Sequence, residues 1–240
     1  MSGHSKWSTI KRQKESTDAK RGAVFTKIGN QIALATKGGT DPATNSTLAL
    51  VVERAKAANM PLGNIQRAID RVADKSAAQL IEVVYEGYGP GGTGIIIEAA
   101  TDNKNRTFPD VRTAMTKNGG TMAEPGSVAF QFSRKGVIRV GASGEDALLA
   151  VLDAGAEDAT EEDGEIIVYT AATNLAKVRQ AIKESELEVL DAELQYVPNN
   201  TIKITDAEVA RKIMKVMDAL DDLDDVTNVH SNFDISDDLN

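Results

Sequence analysis

The chain has 240 residues, 41% of them apolar and 26% charged, with six prolines, no cysteine and a formal net charge of −9. The lack of cysteine excludes disulfides, thiolate zinc sites and cysteine nucleophiles. No run approaches the ~18 apolar residues that a membrane-spanning helix needs. Lys6 near the start has no apolar core behind it, so no secretory signal is expected and the cytoplasm is the default compartment. The length favours two or three domains over one.

Charge is segregated along the chain. Residues 1–75 hold 13 Lys/Arg against 6 Asp/Glu, a net of +7, whereas residues 76–240 hold 14 against 30, a net of −16. A basic head on an acidic body attracts a phosphate-rich polymer at one end and repels it at the other.

Residues 1–15 are polar and basic with no sustained period, and read as an arm. Thr17 and Asp18 suit a helix cap, and Phe25, Ile28, Ile32 and Ala35 recur at helical spacing until Gly38-Gly39. Asp41-Pro42 suits the next helix start, with Leu48, Val51, Val52 and Ala55 as its stripe. After Asn59-Met60-Pro61, Leu62, Ile65, Ile69 and Val72 mark a third helix. Lys20, Arg21 and Lys27 fall outside the first apolar stripe and are expected to face solvent.

From Gln79 the period shortens. Ile81 to Glu86 and Ile95 to Ala100 read as strands joined by the glycine-rich turn GYGPGGTG. A helix is expected from about Thr107, capped by Asn105 or Thr107, with Val111, Ala114 and Met115 inward and Asn118-Gly119-Gly120 as its stop. Val128, Phe130 and Phe132 alternate as a further strand, giving ββαβ, an unfinished sheet. Residues 134–202 then read βαββαβ, the ferredoxin-like order. The remainder supplies one helix, with Val209, Ile213, Val216 and Leu220 on a face, and one strand around Val226 to Phe233. These complete the unfinished sheet most economically if residues 134–202 are an insertion. The expected fold is therefore α+β: a helical bundle over residues 1–77, a discontinuous unit from 78–133 and 203–240, and an inserted unit at 134–202. The last two are α/β sandwiches with ferredoxin-like elements.

Lys6, Lys11, Arg12, Lys14, Lys20, Arg21 and Lys27 in the head are candidates to neutralise phosphates, and Trp7 to stack on an exposed base. The competing reading is a solvated arm with Trp7 packed on the first helix. Lys104 and Arg106, at a helix start, suit an anion. Gly87-Tyr88-Gly89-Pro90-Gly91-Gly92 matches a dinucleotide fingerprint literally, but a strand follows where that site needs a helix. It reads instead as a tight strand connection, with Tyr88, Gly89, Gly91 and Gly92 as a possible phosphate or partner contact. The aspartates from Asp218 to Asp225 lack the glycine and glutamate of a calcium loop. His4 and His230 are the only histidines, so neither a histidine metal cluster nor a catalytic triad is evident. No cofactor, metal or catalytic apparatus is expected.

MSGHSKW at 1–7, DAKRG and FTK within 18–27, NMP at 59–61, YEGYGPGG at 85–92, DNKNRT at 102–107, and GSVAFQF with KG within 126–136 occur in this order. The chain thereby resembles the YebC/PmpR family of bacterial proteins and its mitochondrial relatives. The resemblance implies three domains, the third inserted in the second, and no known catalytic activity. It also implies a transcriptional regulator that binds DNA, although mitochondrial relatives look like translational activators and bacterial members have been linked to the ribosome. Asn30, Gln31 and Leu62-Gly63 stand where relatives often carry charged or more polar residues.

Together these readings predict a cytoplasmic, non-enzymatic, nucleic-acid-binding regulator of gene expression. Its partner is DNA, or ribosomal RNA with adjoining ribosomal proteins, and no membrane is involved.

Overall fold

The computed structural model describes residues 18–71 and 79–236, with side chains described from residue 22. Three helices open it: α1 (Asp18–Ala35), α2 (Ser46–Ala57) and α3 (Leu62–Asp70). Ile28, Ile32, Leu48, Val52, Ala55, Met60, Ile65 and Ile69 form their shared core. Helix α2 starts later than Asp41-Pro42 suggested, because Asn45 is the better cap. Its side-chain oxygen accepts from the Leu48 amide at 3.1 Å, and its Nδ2 donates to the carbonyls of Ala35 and Gly39, both at 2.8 Å. One side chain thus starts α2 and ties it to the end of α1.

The first sheet contains β1 (Ile81–Tyr88), β2 (Gly94–Thr101), β3 (Thr121–Ala123) and β9 (Val226–Ser231), in the order β3-β1-β2-β9 and all antiparallel. Helices α4 (Lys104–Lys117) and α7 (Ala207–Asp221) cover one face. There Ile95, Ile97, Val111, Met115, Ile213, Val216, Met217 and Leu220 form the largest core. Strand β2 is buried along its whole length, which means its second face is covered as well.

The second sheet contains β4 (Phe132–Val140), β5 (Asp158–Glu162), β6 (Glu165–Ala171) and β7 (Val189–Pro198), in the order β5-β6-β4-β7. With α5 (Glu145–Asp153) and α6 (Leu175–Glu184) on one face, this is the ferredoxin-like arrangement read from the alternation. Ile138, Val140, Val151, Ile166, Val168, Val178 and Ile182 fill its core. The chain leaves the first sheet after β3, builds the second, and returns through β8 (Ile202–Ile204). That short strand pairs in parallel with β10 (Phe233–Ile235). The strand expected around Val226 to Phe233 is broken at Asn232. This buried side chain accepts from the Gly94 amide at 2.8 Å and donates to Gln131 Oε1 at 2.8 Å.

The alternation of Val128, Phe130 and Phe132 does not make a strand. The third strand is Thr121–Ala123, and Ala129–Gln131 is a 3-10 turn. The cause is distant in sequence. Buried Glu86 accepts from the amides of Gly126, Val128 and Ala129 at 2.6, 2.6 and 2.8 Å, groups that a strand would have given to a neighbour. Burial alone would raise the Glu86 pKa, but these three amides hold it below the usual carboxylate range.

Candidate nucleic-acid interface

Lys6, Trp7, Lys11, Arg12 and Lys14 lie outside the described residues. Lys20 and Arg21 fall in the first turns of α1, and their side chains also lie outside the description. Lys27 is placed clearly, and it corrects the expectation that it faces solvent. Only 8% of it is exposed, and its Nζ lies 2.8 Å from Asp221 Oδ1 while also donating to the Asp221 carbonyl. Asp221 is the last residue of α7, where unpaired carbonyls and the helix dipole favour a cation. Asn30, on the next turn of α1, donates to the Asp224 carbonyl at 3.4 Å. Position outside an apolar stripe excluded Lys27 from the bundle core but did not reveal that another element covers it.

A second seam joins α2 to the ferredoxin-like unit. Arg54 pairs with Glu193 and lies 3.9 Å from Asp191, while Glu53 pairs with Arg179 and, at 2.9 Å, with Lys183. Burial pushes the Asp191 pKa up against the pull of Arg54. For Glu53, burial opposes ionisation, but Lys183 and Arg179 together hold its pKa below the usual range. The head therefore directs Lys27 and Arg54 at the acidic body. Lys37, Lys56, Arg67 and Arg71 remain exposed to solvent.

Helix α4 begins three residues earlier than Thr107. Its cap is Asn103, whose Oδ1 accepts from the amides of Asn105 and Arg106 at 3.1 and 3.3 Å. Lys104 is exposed. Arg106 is 52% exposed, yet its Nη2 lies 3.1 Å from Asp102 and 3.0 Å from Asp225. Asp225 also accepts from Thr107 Oγ1 at 2.6 Å. The anion that this helix start favours is thus already supplied by the chain.

In the glycine turn, the Gly89 amide donates to the Thr93 carbonyl at 2.7 Å and the Gly92 amide to the Gly89 carbonyl at 3.2 Å. Gly91 and Gly92 have φ of +74° and +75°, which strongly favours glycine at both. A Cβ on Gly91 would also lie 3.1 Å from Val209 Cγ1. Tyr88 donates its hydroxyl to the Ser127 carbonyl at 2.8 Å. Tyr88, Gly89, Gly91 and Gly92 therefore seat the turn between α7 and the loop after β3, and a strand follows, as the sequence indicated.

The junction between the two sheets is a polar cluster that the sequence gave no spacing to find. Glu98, on the second face of β2, is 4% exposed. Its carboxylate lies 2.8 Å from His230 Nε2, 3.2 Å from Arg134 Nη1 and 3.3 Å from Asn228 Nδ2. The Arg134 guanidinium lies over the Tyr196 ring at 5.0 Å, and that ring faces His230 at 5.6 Å. Burial raises the Glu98 pKa, but the His230 hydrogen bond, His230 and Arg134 charge and Asn228 outweigh it and lower the pKa overall. Every partner of Glu98 points at it, which makes the cluster a joint between β2, β4, β7 and β9. Among the described residues, no group of three or more His, Cys, Asp or Glu is placed to hold a metal ion, and no helix is long and apolar enough to cross a membrane.

Comparison with known proteins agrees with this architecture. Residues 5–75 match the model of the TACO1/YebC protein N-terminal domain, and residues 80–233 match that of the TACO1/YebC second and third domain. A protein of Fusobacterium nucleatum named as a probable transcriptional regulatory protein is 46% identical, covering 100% of this chain and 98% of its own. A relative of the same name from Caldanaerobacter subterraneus is also 46% identical, covering 99% and 100%. The crystal structure of a conserved hypothetical protein from Aquifex aeolicus superposes with a TM-score of 0.91 at 39% identity, over 97% of this chain and 98% of that one. From its helical head to its two antiparallel sheets, the chain belongs to the TACO1/YebC family.

Proposed function

We propose that this protein is a non-enzymatic regulator of gene expression that binds DNA through its basic N-terminal region. We further propose that it comprises three units, with residues 134–202 inserted into a second unit formed by 78–133 and 203–240. The observation that carries the functional reading is the charge division, a net of +7 over residues 1–75 against −16 over residues 76–240. Such polarity turns one end of the molecule toward a phosphate polymer and keeps the rest away. The names of the relatives support a role in transcription. Lys6, Lys11, Arg12, Lys14, Lys20 and Arg21 are the proposed phosphate contacts, with Trp7 as a stacking residue. Lys27 is removed from that set by its burial against Asp221. Lys104 stays in it as an exposed cation, and Arg106 only if nucleic acid displaces Asp225.

Titrating salt against affinity tests this reading. Each lost phosphate contact should lower the log–log slope by about 0.7 to 0.9, so Lys11→Glu, Arg12→Glu and Lys14→Glu combined should flatten it by about two to three. An unchanged slope would exclude the arm. The rival reading is ribosomal RNA as the ligand. Crosslinking in cells with DNA and RNA recovered separately decides between them: promoter peaks support transcription, and a ribosomal RNA peak supports translation.

A further inference from the structure

Phe130 is 72% exposed, more than any other large apolar side chain among the described residues. Its backbone is nevertheless held from both sides. Upstream, Glu86 accepts from the Gly126, Val128 and Ala129 amides. Downstream, Asn199 donates its Nδ2 to the Phe130 carbonyl at 3.2 Å and its amide to the Gln131 carbonyl at 2.8 Å. Asn232 fixes the Gln131 side chain at 2.8 Å. An exposed ring on a slack loop needs no explanation, whereas one displayed from a turn with this many fixed groups has its ordering cost met before any ligand arrives. That is the property of a binding anchor.

The surroundings indicate what it anchors. From Pro125 to Ser133 and from Val197 to Ile202, the two segments that meet here, no residue is charged. On a body with a net charge of −16 this is an uncharged window, bounded in sequence by Glu124, Arg134 and Lys203, where the two segments themselves offer no carboxylate to repel a polyanion. Beside Phe130 these segments expose Asn199, Asn200 and Pro125, while the hydroxyls of Ser127 and Ser133 are bonded to the Glu124 carbonyl and to Asn199. The other exposed large apolar side chains, Leu62, Ile81, Val84, Phe108, Leu149 and Leu152, lie on α3, β1, α4 and α5. Phe130 is the one exposed large apolar side chain described on these two segments, and an isolated aromatic ring beside the exposed amides of Asn199 and Asn200 suits a flat, hydrogen-bonding partner.

We infer that Phe130 is a stacking platform for an unpaired nucleobase, a second contact on the nucleic acid that the basic head grips. The inference rests on the nucleic-acid reading above and sharpens it. A base can reach the ring only where it is unstacked, so the ring would engage a melted, looped or single-stranded stretch of the nucleic acid whose phosphates the head grips.

The test is fluorescence anisotropy with the full-length protein and single-stranded RNA, single-stranded DNA and duplex oligonucleotides of one sequence. Phe130→Ala should weaken single-stranded binding about five- to one-hundred-fold, leave duplex binding and the salt slope unchanged, and melt with the wild type. Phe130→Trp should retain affinity and Phe130→Leu should not, since leucine keeps apolar volume without a π face. A larger loss on RNA than on DNA would place a 2′-hydroxyl contact beside the ring. An alanine variant as tight as wild type overturns the inference. So does a leucine variant as tight as phenylalanine, which would assign the ring to an apolar pocket on a partner protein. If only the arm variant loses binding, Phe130 is dismissed while the head reading stands. If the wild-type protein binds none of the oligonucleotides, both fall.

Discussion

The two four-stranded sheets solve the same packing problem differently. The second sheet is made from one continuous stretch, β4 to β7, and buries its inner face under α5 and α6, which come from the same stretch. The first takes β1, β2 and β3 from one part of the chain and β9 from more than a hundred residues later. Its central strand β2 is buried on both faces: α4 and α7 cover one, while the other meets α1, β7 and the turn after β3. One sheet takes its covering helices from its own stretch, with only α2 added from outside, and the other is the hub. A hub must accept polar neighbours from several directions, and Glu98 with His230, Arg134 and Asn228 is how this one does so.

The contrast can be broken by mutation. Glu98→Ala removes the buried acceptor shared by His230, Asn228 and Arg134, the last 38% exposed and also 3.8 Å from Glu82, and should cost about 1–3 kcal/mol of unfolding free energy in urea. Glu165→Ala, removing a partner of the half-buried Arg139 on the second sheet, should cost at most ~1 kcal/mol. Equal losses would deny the hub its special status. Next comes Gly136→Ala: its Cβ would lie 2.7 Å from Thr170 Cγ2 and 2.9 Å from Leu175 Cβ, an overlap worth about 1–3 kcal/mol. If the second sheet unfolds as its own unit, calorimetry should show one of two transitions move. A single transition shifting as a whole would join the sheets into one cooperative block.

The pH dependence gives a smaller and more specific effect. Glu98 has a folded pKa below its ordinary 4.5. Its contribution is therefore fully present above that ordinary value and is lost as pH falls through the depressed one. Urea unfolding between pH 6 and pH 3 (about the carboxylate range) should show this acid-side loss in the wild type and less of it in Glu98→Gln. Matching profiles would remove Glu98 from the acid response. The smallest effect belongs to the seam of α2 with the second sheet. Glu53 is nearly half exposed, so Glu53→Gln should cost about 0–1 kcal/mol, fading as salt is raised.

Much of this architecture was legible from periodicity. The βαββαβ stretch announces itself because each strand alternates and each connection carries turn residues. The helical head was legible from its apolar stripes, although α2 starts at Ser46, capped by Asn45, instead of near Asp41-Pro42, because that cap also contacts Ala35 and Gly39. The misreadings share a cause. Phe130 alternates with its neighbours as a strand residue would, but Glu86, forty residues earlier, takes the amides that a strand would need. Lys27 lies off the local stripe, but Asp221 waits 194 residues away. Arg106 likewise has a carboxylate partner, Asp225, that its local sequence does not announce. Local pattern fixes which residues face inward within an element, and is blind to carboxylates arriving from elsewhere in the chain. The candidate site was correspondingly less legible than the fold, since charge identity is local and charge availability is not.

The strands that lead into and out of the second sheet run side by side: Phe132 is the register partner of Pro198, and the Asn199 amide meets the Gln131 carbonyl at 2.8 Å. A short tether joining residues 131 and 199 would therefore shorten the chain by 67 residues without rerouting any strand of the first sheet. The excursion thus stands on a two-stranded stem that such a tether would close without changing the first sheet's connectivity, at the loss of Arg134 from Glu98 and of Phe132 and Tyr196 from the second face of β2.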